Sequence, residues 1–427
     1  MNVTPRSRWN YKQALAWLYG LQRFGIKLGL ENIRRLLNEL GLGSARGSRV
    51  VSGGSPEIFG KVIHVAGTNG KGSVCAMIDS ICRAQGYRTG LFTSPHLVTF
   101  RERIRVDGEM ISEDAVADGL TMIRDLIADW DPHPTFFEVT TALALKHLGD
   151  AKIDITILET GLGGRLDATN AVQSDVSVIT PIGLDHEKWL GHMLAEIAGE
   201  KAGIIKSRVP VVSAPQQPQA VEVICARAAE CGSPVQFVSE TYHRSPVALR
   251  GEYQKQNAAV ASAAIQAANI HVDEKALVRG LAAIEWPARF QKWDERTIID
   301  GAHNPSAARV LAQTWRDCFG NQKATLVVAV LSDKDLRGIC EALAPITASV
   351  LLPRIRSERA TPTRELAKIF SIMIPPVPHS IASTIGEALM LARANQNPIL
   401  IAGSLHFAGE VLAHLHGEPA AFEECAQ

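Results

Sequence analysis

The stretch Lys61–Val74, K-V-I-H-V-A-G-T-N-G-K-G-S-V, decides the fold. It opens as a short, mostly apolar run of the kind that forms a strand buried on both faces. Gly67, Gly70 and Gly72 follow and let backbone N–H groups converge without side-chain clash. Lys71 adds a cation, and from Gly72 a helical pattern runs to Gln85. Converging amides, a lysine and a helix N-terminus make a cradle for phosphate oxygens. The spacing is not the usual G-x-x-x-x-G-K-S/T, and a glycine follows the lysine. A glycine-rich turn with a surface lysine is the plainer reading, and the strand and helix on either side of the loop weigh against it.

Outward from that loop, the texture repeats: a β-branched run, a glycine turn, then an Ala/Leu-rich amphipathic stretch. Candidate strands are Val62–Ala66, Thr89–Thr93, Ile153–Leu158, Val176–Thr180, Val209–Ser213, Thr297–Ile299, Thr325–Val330, Val350–Leu352 and Ile399–Ala402. Helical patterns between them include Glu138–Leu148, Gln256–Ala268 and Ser306–Cys318. Such alternation predicts an α/β protein with parallel sheets. Trp9–Leu40 reads as a helical pair around a glycine turn, with Gly41 as its C-terminal cap. Pro287 stops a helix, and a new alternating series opens at T-I-I-D-G-A-H-N-P, which puts a boundary near Trp286–Trp293. The expected domains are 1–288, a P-loop ATPase-like parallel sheet with an N-terminal helical segment, and 293–427, a smaller Rossmann-like α/β unit.

The chain has 427 residues, and roughly 150 per domain is a prior for two or three domains. Lys plus Arg and Asp plus Glu both number 44, so the formal net charge is zero. A neutral chain lacks the basic excess that nucleic acid or an anionic membrane would favour. There is no apolar run long enough for a membrane span and no signal-peptide pattern at the start, which predicts a cytoplasmic protein. Seven scattered cysteines without a C-x-x-C pair point to reduced thiols rather than a disulfide framework or a zinc site.

Further polar groups collect where strands end. T-S-P-H-L puts Ser94 after the strand at Thr89. Glu159 ends an apolar strand, in the position of the Walker-B carboxylate that holds Mg²⁺. Gly161, Gly163 and Gly164 follow, with Asp167 beyond. Asp185 and His186 end the strand at Val176, and Lys201 lies on a helix soon after. In the second half, Asp300, His303 and Asn304 end a strand at a turn that could close over a bound nucleotide, and Arg289 in the hinge could reach a phosphate. A solvated helix lysine and a hydrogen-bonded structural histidine are the plainer readings of Lys201 and His186.

Together the motifs resemble one family, the bacterial bifunctional dihydrofolate synthase/folylpolyglutamate synthases of the Mur ligase superfamily. The likeness spans nearly the whole chain: L-G-L-E-N-I-R-R-L-L-N-E-L-G, G-T-N-G-K-G-S, T-S-P-H-L, F-F-E-V-T-T-A-L-A-L, L-E-T-G-L-G-G-R-L-D-A-T-N, I-G-L-D-H, E-K-A-G-I-I-K, Y-Q-K-Q-N-A, R-F-Q and D-G-A-H-N-P. The resemblance implies that Asn69, Gly70, Lys71, Gly72 and Ser73 hold ATP phosphates. It implies Mg²⁺ at Ser94, Glu159 and His186, and a second ion at a carbamylated Lys201. Asn257, Arg289 and Asp300 match nucleotide positions, with His303 beside them as a candidate catalytic group. Thr135, Phe136, Phe137 and Glu138, with Leu166, Asp167 and Ala168, match the segments that bind the pterin. The chain departs from the family pattern at His192, Met193, Ala288 and His406.

The implied reaction is ATP-dependent joining of L-glutamate to dihydropteroate, to the terminal glutamate of a reduced folate, or to both, by a monomer without nucleic-acid or membrane partners. One rival is a ligase acting on a peptidoglycan precursor, which usually carries an extra N-terminal domain; another is a regulatory ATPase that needs neither second metal nor carbamate.

Overall fold

The computed structural model describes residues 8–42 and 58–423. Among these, the first sheet has eight strands: β1 (Lys61–Ala66), β2 (Thr89–Phe92), β3 (Ile104–Val106), β4 (Glu109–Met110), β5 (Ile155–Glu159), β6 (Val176–Ile179), β7 (Val211–Ser213) and β8 (Val235–Phe237). Their order is β4-β3-β2-β5-β1-β6-β7-β8. From β2 to β8 every pairing is parallel. β3 and β4 form an antiparallel ribbon on the β2 edge. That ribbon escapes the sequence pattern because its strands are too short to show alternation. Its signal is the Asp107-Gly108 turn, both residues at positive φ (52° and 85°), as a two-residue hairpin loop requires.

Burial on both faces explains why the parallel strands lack alternation. Val62 on β1 packs with Phe92, Leu143 and Leu158, under the helices Tyr11–Gly20, Glu31–Glu39 and Phe136–Asp150. Ile63 and Val65 face the opposite way, into Met77 and Ile265 of the helices Lys71–Gln85 and Glu252–Ala267. Gly280 lets the helix Glu274–Ala283 lie against Ile81, where a Cβ would meet backbone at 2.4 Å. Gly41, at φ +75°, ends the helical pair as read: its N–H reaches Asn38 O, and Leu42 N–H reaches Leu37 O.

The second sheet contains β9 (Gln291–Lys292), β10 (Thr297–Ile299), β11 (Ala324–Val328), β12 (Thr347–Pro353), β13 (His379–Ala382) and β14 (Ile399–Ala402), in the order β13-β12-β11-β14-β10-β9. All its pairings are parallel except β9 with β10. Ala288 and Phe290 are buried in this second core, so the crossing between sheets is complete by residue 288. Both hold positive φ, 55° and 48°.

The chain also ties the two units together behind the crossing. On the helix Leu405–Leu415, Gly409 passes so close to the first unit that a Cβ would stand 1.9 Å from Leu97 O. The tail then reaches Glu423, whose N–H donates to Val98 O (2.8 Å). Its carboxylate accepts from the Thr99 hydroxyl (3.2 Å), the Tyr11 hydroxyl (3.1 Å) and Phe100 N–H. No helix among the described residues is long and apolar enough to cross a membrane. Six cysteines are free thiols, and Cys425 lies outside the described residues.

The two glycines Gly409 and Gly199 should respond in opposite ways to alanine. Gly409→Ala forces backbone apart and is expected to cost about 1–3 kcal/mol of unfolding free energy. At Gly199, inside the helix Leu194–Ala202, a Cβ meets nothing within 4 Å. Gly199→Ala should therefore be neutral or stabilise by up to about 1 kcal/mol. Thermal or urea unfolding of the two variants checks both signs.

Candidate active site

The carboxyl ends of β1, β5 and β6 lie side by side, the crevice where open α/β sheets bind ligands. There the loops of both domains enclose a cavity of about 380 Å³. The glycines of the phosphate loop are required by contact as well as by conformation. Gly67 has φ +148°, and a Cβ would lie 1.9 Å from Thr180 Oγ1. Gly70, at φ +91°, leaves room for Asn257, whose Oδ1 would be 2.9 Å from a Cβ. Thr68 and Asn69 N–H groups donate to Pro181 O (3.0 and 3.2 Å), pinning the loop to the next strand. Lys71 donates to Thr68 O, at 3.4 Å, and lines the cavity. Behind the loop, Asn257 Nδ2 donates to Gln254 Oε1 (2.9 Å), and Gln254 Nε2 to Ser73 Oγ (3.3 Å). Asn257 and Ser73 thus belong to one chain of hydrogen bonds.

Ser94, Glu159, His186 and Lys201 all line the same cavity. Glu159 is buried and accepts the Ser94 N–H (3.0 Å). Burial pushes its carboxyl upward, against the pull of Lys71, the Ser94 N–H, Arg289 and Arg103. His186 takes a left-handed backbone, φ +53°. Burial lowers its imidazole to about 4 despite Asp185, so the ring is neutral and able to ligate. The donor set is a hydroxyl, a carboxylate and a neutral imidazole, which suits a small hard cation that takes its other ligands from phosphate and water. These three residues fit Mg²⁺. Lys201 differs: its amine is buried, donates to Gly67 O (2.8 Å), and is lowered to about 7 by burial and by Lys71. An ammonium cannot ligate a cation, so Lys201 can join the set only after losing its charge.

The second domain supplies the roof. Arg289 and His303 line the cavity; Arg289 Nη1 donates to Ala288 O (2.9 Å), and His303 Nδ1 donates to Gly301 O (2.8 Å). Asp300 is buried and its oxygens accept Phe290 N–H (2.7 Å) and Ala302 N–H (2.8 Å). Asp300 therefore shapes the crossing while it lines the cavity. Asn69 Nδ2 crosses to Ser306 Oγ (2.7 Å) and Asn304 Oδ1 (3.3 Å), so the phosphate loop itself touches the second domain. Tyr253, Lys334 and Arg359 also line the cavity and were not singled out in the sequence. The only sequence sign of Lys334 is its place, L-S-D-K-D, just past the end of a parallel strand.

The pterin-matching segments lie on a neighbouring flank, outside the cavity lining. Phe137 packs on Phe92 (centroids 6.0 Å apart) and on Gly161, where a Cβ would be 2.5 Å from its ring. Thr135 and Glu138 cap a helix: Glu138 Oε2 accepts the Thr135 N–H (2.8 Å) and hydroxyl (2.9 Å). Asp167 accepts N–H groups of Gly161, Leu162 and Thr169 and the Thr169 hydroxyl. Leu166 is half-buried; Phe136 and Ala168 are buried. Both carboxylates are thus occupied in building the segments, which leaves backbone and rings as the surfaces they present.

Two family models match the chain: the Mur ligase middle domain over residues 65–214, and the Mur ligase glutamate ligase domain over 288–405. The dihydrofolate synthase/folylpolyglutamate synthase of Bacillus subtilis (strain 168) is 33% identical, covering 95% of this chain and 99% of that protein. Among solved structures, Escherichia coli FolC in complex with DHPP and ADP superposes with a TM-score of 0.85, 31% identity, and coverage of 97% of this chain and 99% of that one. The bifunctional folylpolyglutamate synthase/dihydrofolate synthase of Yersinia pestis, complexed with AMPPNP and Mn ion, gives a TM-score of 0.85 at 32% identity, over 97% and 100%. The chain belongs to the Mur ligase superfamily, among its dihydrofolate synthases/folylpolyglutamate synthases.

Proposed function

We propose that this protein is an ATP-dependent carbon–nitrogen ligase that joins L-glutamate to dihydropteroate, to the terminal glutamate of a reduced folate, or to both. The observation that carries the reading is the convergence, in one cavity, of a phosphate loop with Lys71, the Ser94–Glu159–His186 donor set and Arg289 of the second domain. The substrate carboxylate attacks the γ-phosphorus of ATP, ADP leaves, and an acyl phosphate forms. The amine of glutamate then attacks the acyl carbon, phosphate departs, and the amide remains after loss of a proton.

Asn69, Gly70, Lys71, Gly72 and Ser73 hold the phosphates, with Lys71 and the helix N-terminus balancing the charge that shifts onto the β-phosphate. Asn257, Arg289 and Asp300 position the nucleotide from the crossing. Ser94, Glu159 and His186 would hold Mg²⁺, which when bound neutralises phosphate charge and aligns the oxygens. Lys201, converted to a carbamate by CO₂, would present a carboxylate to a second ion; the buried, readily neutral amine supports this. We assign to His303, in the roof of the cavity, the role of taking the proton from the glutamate ammonium. Thr135–Glu138 and Leu166–Ala168 border the pterin. The second domain, from residue 293, roofs the site, and keeping water from the acyl phosphate is its contribution to yield. We take the working unit to be a monomer. Its free thiols suit the reducing cytoplasm, and its neutral charge suits small substrates rather than nucleic acid or membrane.

Purified protein with ATP, Mg²⁺ and L-glutamate should release ADP only when dihydropteroate or tetrahydrofolate is added, and paired assays tell one activity from two. ADP release independent of both co-substrates would favour a regulatory ATPase. Lys201→Ala should lower turnover about 10²–10³-fold while nucleotide binding, read by calorimetry, survives.

The amine state of Lys201 makes a further test. CO₂ adds only to a neutral amine, and a group titrating at about 7 is largely protonated at pH 6 and largely neutral at pH 8. Added bicarbonate should therefore raise turnover at pH 6 and leave it unchanged at pH 8. Equal response at both values would remove the carbamate from the mechanism.

A further inference from the structure

Asp185 sits in the loop after β6, on the first domain, and the groups that meet its carboxylate come almost entirely from the second. Lys334 Nζ is 2.6 Å from Oδ1, and each side chain is only 8% exposed. Asn304 Nδ2 donates to Oδ2 (3.1 Å), and His303 Nε2 stands 3.6 Å from the same oxygen. From its own domain, Asp185 Oδ1 also accepts the N–H of His186 (2.9 Å), the residue held in a left-handed backbone.

We propose that Asp185 is a positioning residue that couples closure of the cleft to completion of the metal set: the carboxylate that gathers Lys334, Asn304 and His303 is the one that fixes the backbone of His186. The geometry has no slack for a passive role. Three groups from two separate loops of the second domain converge on two oxygens, and Asn304 in turn donates to Asn69 of the phosphate loop (3.1 Å) and caps the helix Pro305–Phe319 through Ala307 N–H (2.8 Å). When the domains part, Lys334 and Asp185 return to water, and the His186 N–H keeps a partner that no longer has fixed neighbours. A buried ion pair adds little net stability, because desolvation offsets attraction, but it is exacting about geometry. Asp185 therefore selects one closed arrangement rather than supplying the energy for it.

The test compares wild type, Asp185→Asn, Lys334→Met and the double variant, each full length. Lys334→Met keeps the side-chain volume on a loop and stands as a test by itself if Asp185→Asn does not fold. Small-angle scattering with AMPPNP and Mg²⁺ reads closure without reference to the reaction. Wild type should contract on nucleotide addition, and every variant should stay expanded although calorimetry still detects nucleotide binding. In turnover, each single variant should lose on the order of 100-fold in kcat, since removing one partner strands a buried charge, with little change in KM for ATP. The double variant should be no worse than the poorer single. Variants that contract like wild type, or losses that multiply in the double, would overturn the proposal. The kinetic arm rests on the ligase reading; a wild type that contracts but never turns over would count against that reading and leave the pin standing.

Discussion

Val65 of β1 lies opposite Glu159 of β5, and on its other side opposite Val178 of β6. That register brings three parallel strands to an end at one level, and each hands its last residues to a loop on the same side of the sheet. The glycine turn, the carboxylate and the Asp185–His186 pair are neighbours for this reason alone. A slip of one residue in β5 would turn Glu159 to the other face and carry its carboxylate away from Ser94. Burial on both faces of β1 is what forbids the slip, because Val62 and Ile63 each need their own core.

The phosphate loop and the parallel strands were legible because local chemistry and global position agree there: an apolar run, a glycine turn and a helix mean the same thing in any α/β protein. Glu159 and His186 stand out by their places at strand ends, whereas Lys201 reads by spacing as a solvated helix lysine and gains a role only through the family resemblance. What stayed hidden depends on contacts between distant segments. Lys334 is 149 residues from Asp185 in sequence, and no local pattern pairs them. The carboxylates of Glu138 and Asp167 look like free ligand groups in sequence, whereas each turns back on its own segment. The β3–β4 ribbon, β8 and β9 escape the sequence pattern for want of length, and the four-residue β13 because two of its residues are exposed and no apolar run marks it.

Net neutrality concealed a strongly uneven charge distribution. Lys71, Arg289, Lys334 and Arg359 all line one cavity, while the carboxylates that share it are either held by backbone N–H groups, like Asp300, or paired, like Asp185. Lys334 is paired with Asp185 and Arg359 with Asp333, so of these four cations Lys71 and Arg289 are the two without a salt bridge among the described residues, and they aim the positive potential at an anion. Burial does the remaining tuning: it keeps His186 neutral and brings Lys201 within reach of neutrality.

The docked tail at Glu423 changes what kind of object the molecule is. The first domain is joined to the second once by the peptide crossing near Ala288 and again where Glu423 meets Tyr11 and Thr99, so the pair is closed into a ring. A body held at two separated points keeps a single easy motion, rotation about the line through them. Any opening of the cleft would then be a swing about that line, and it would part Asn69 from Ser306.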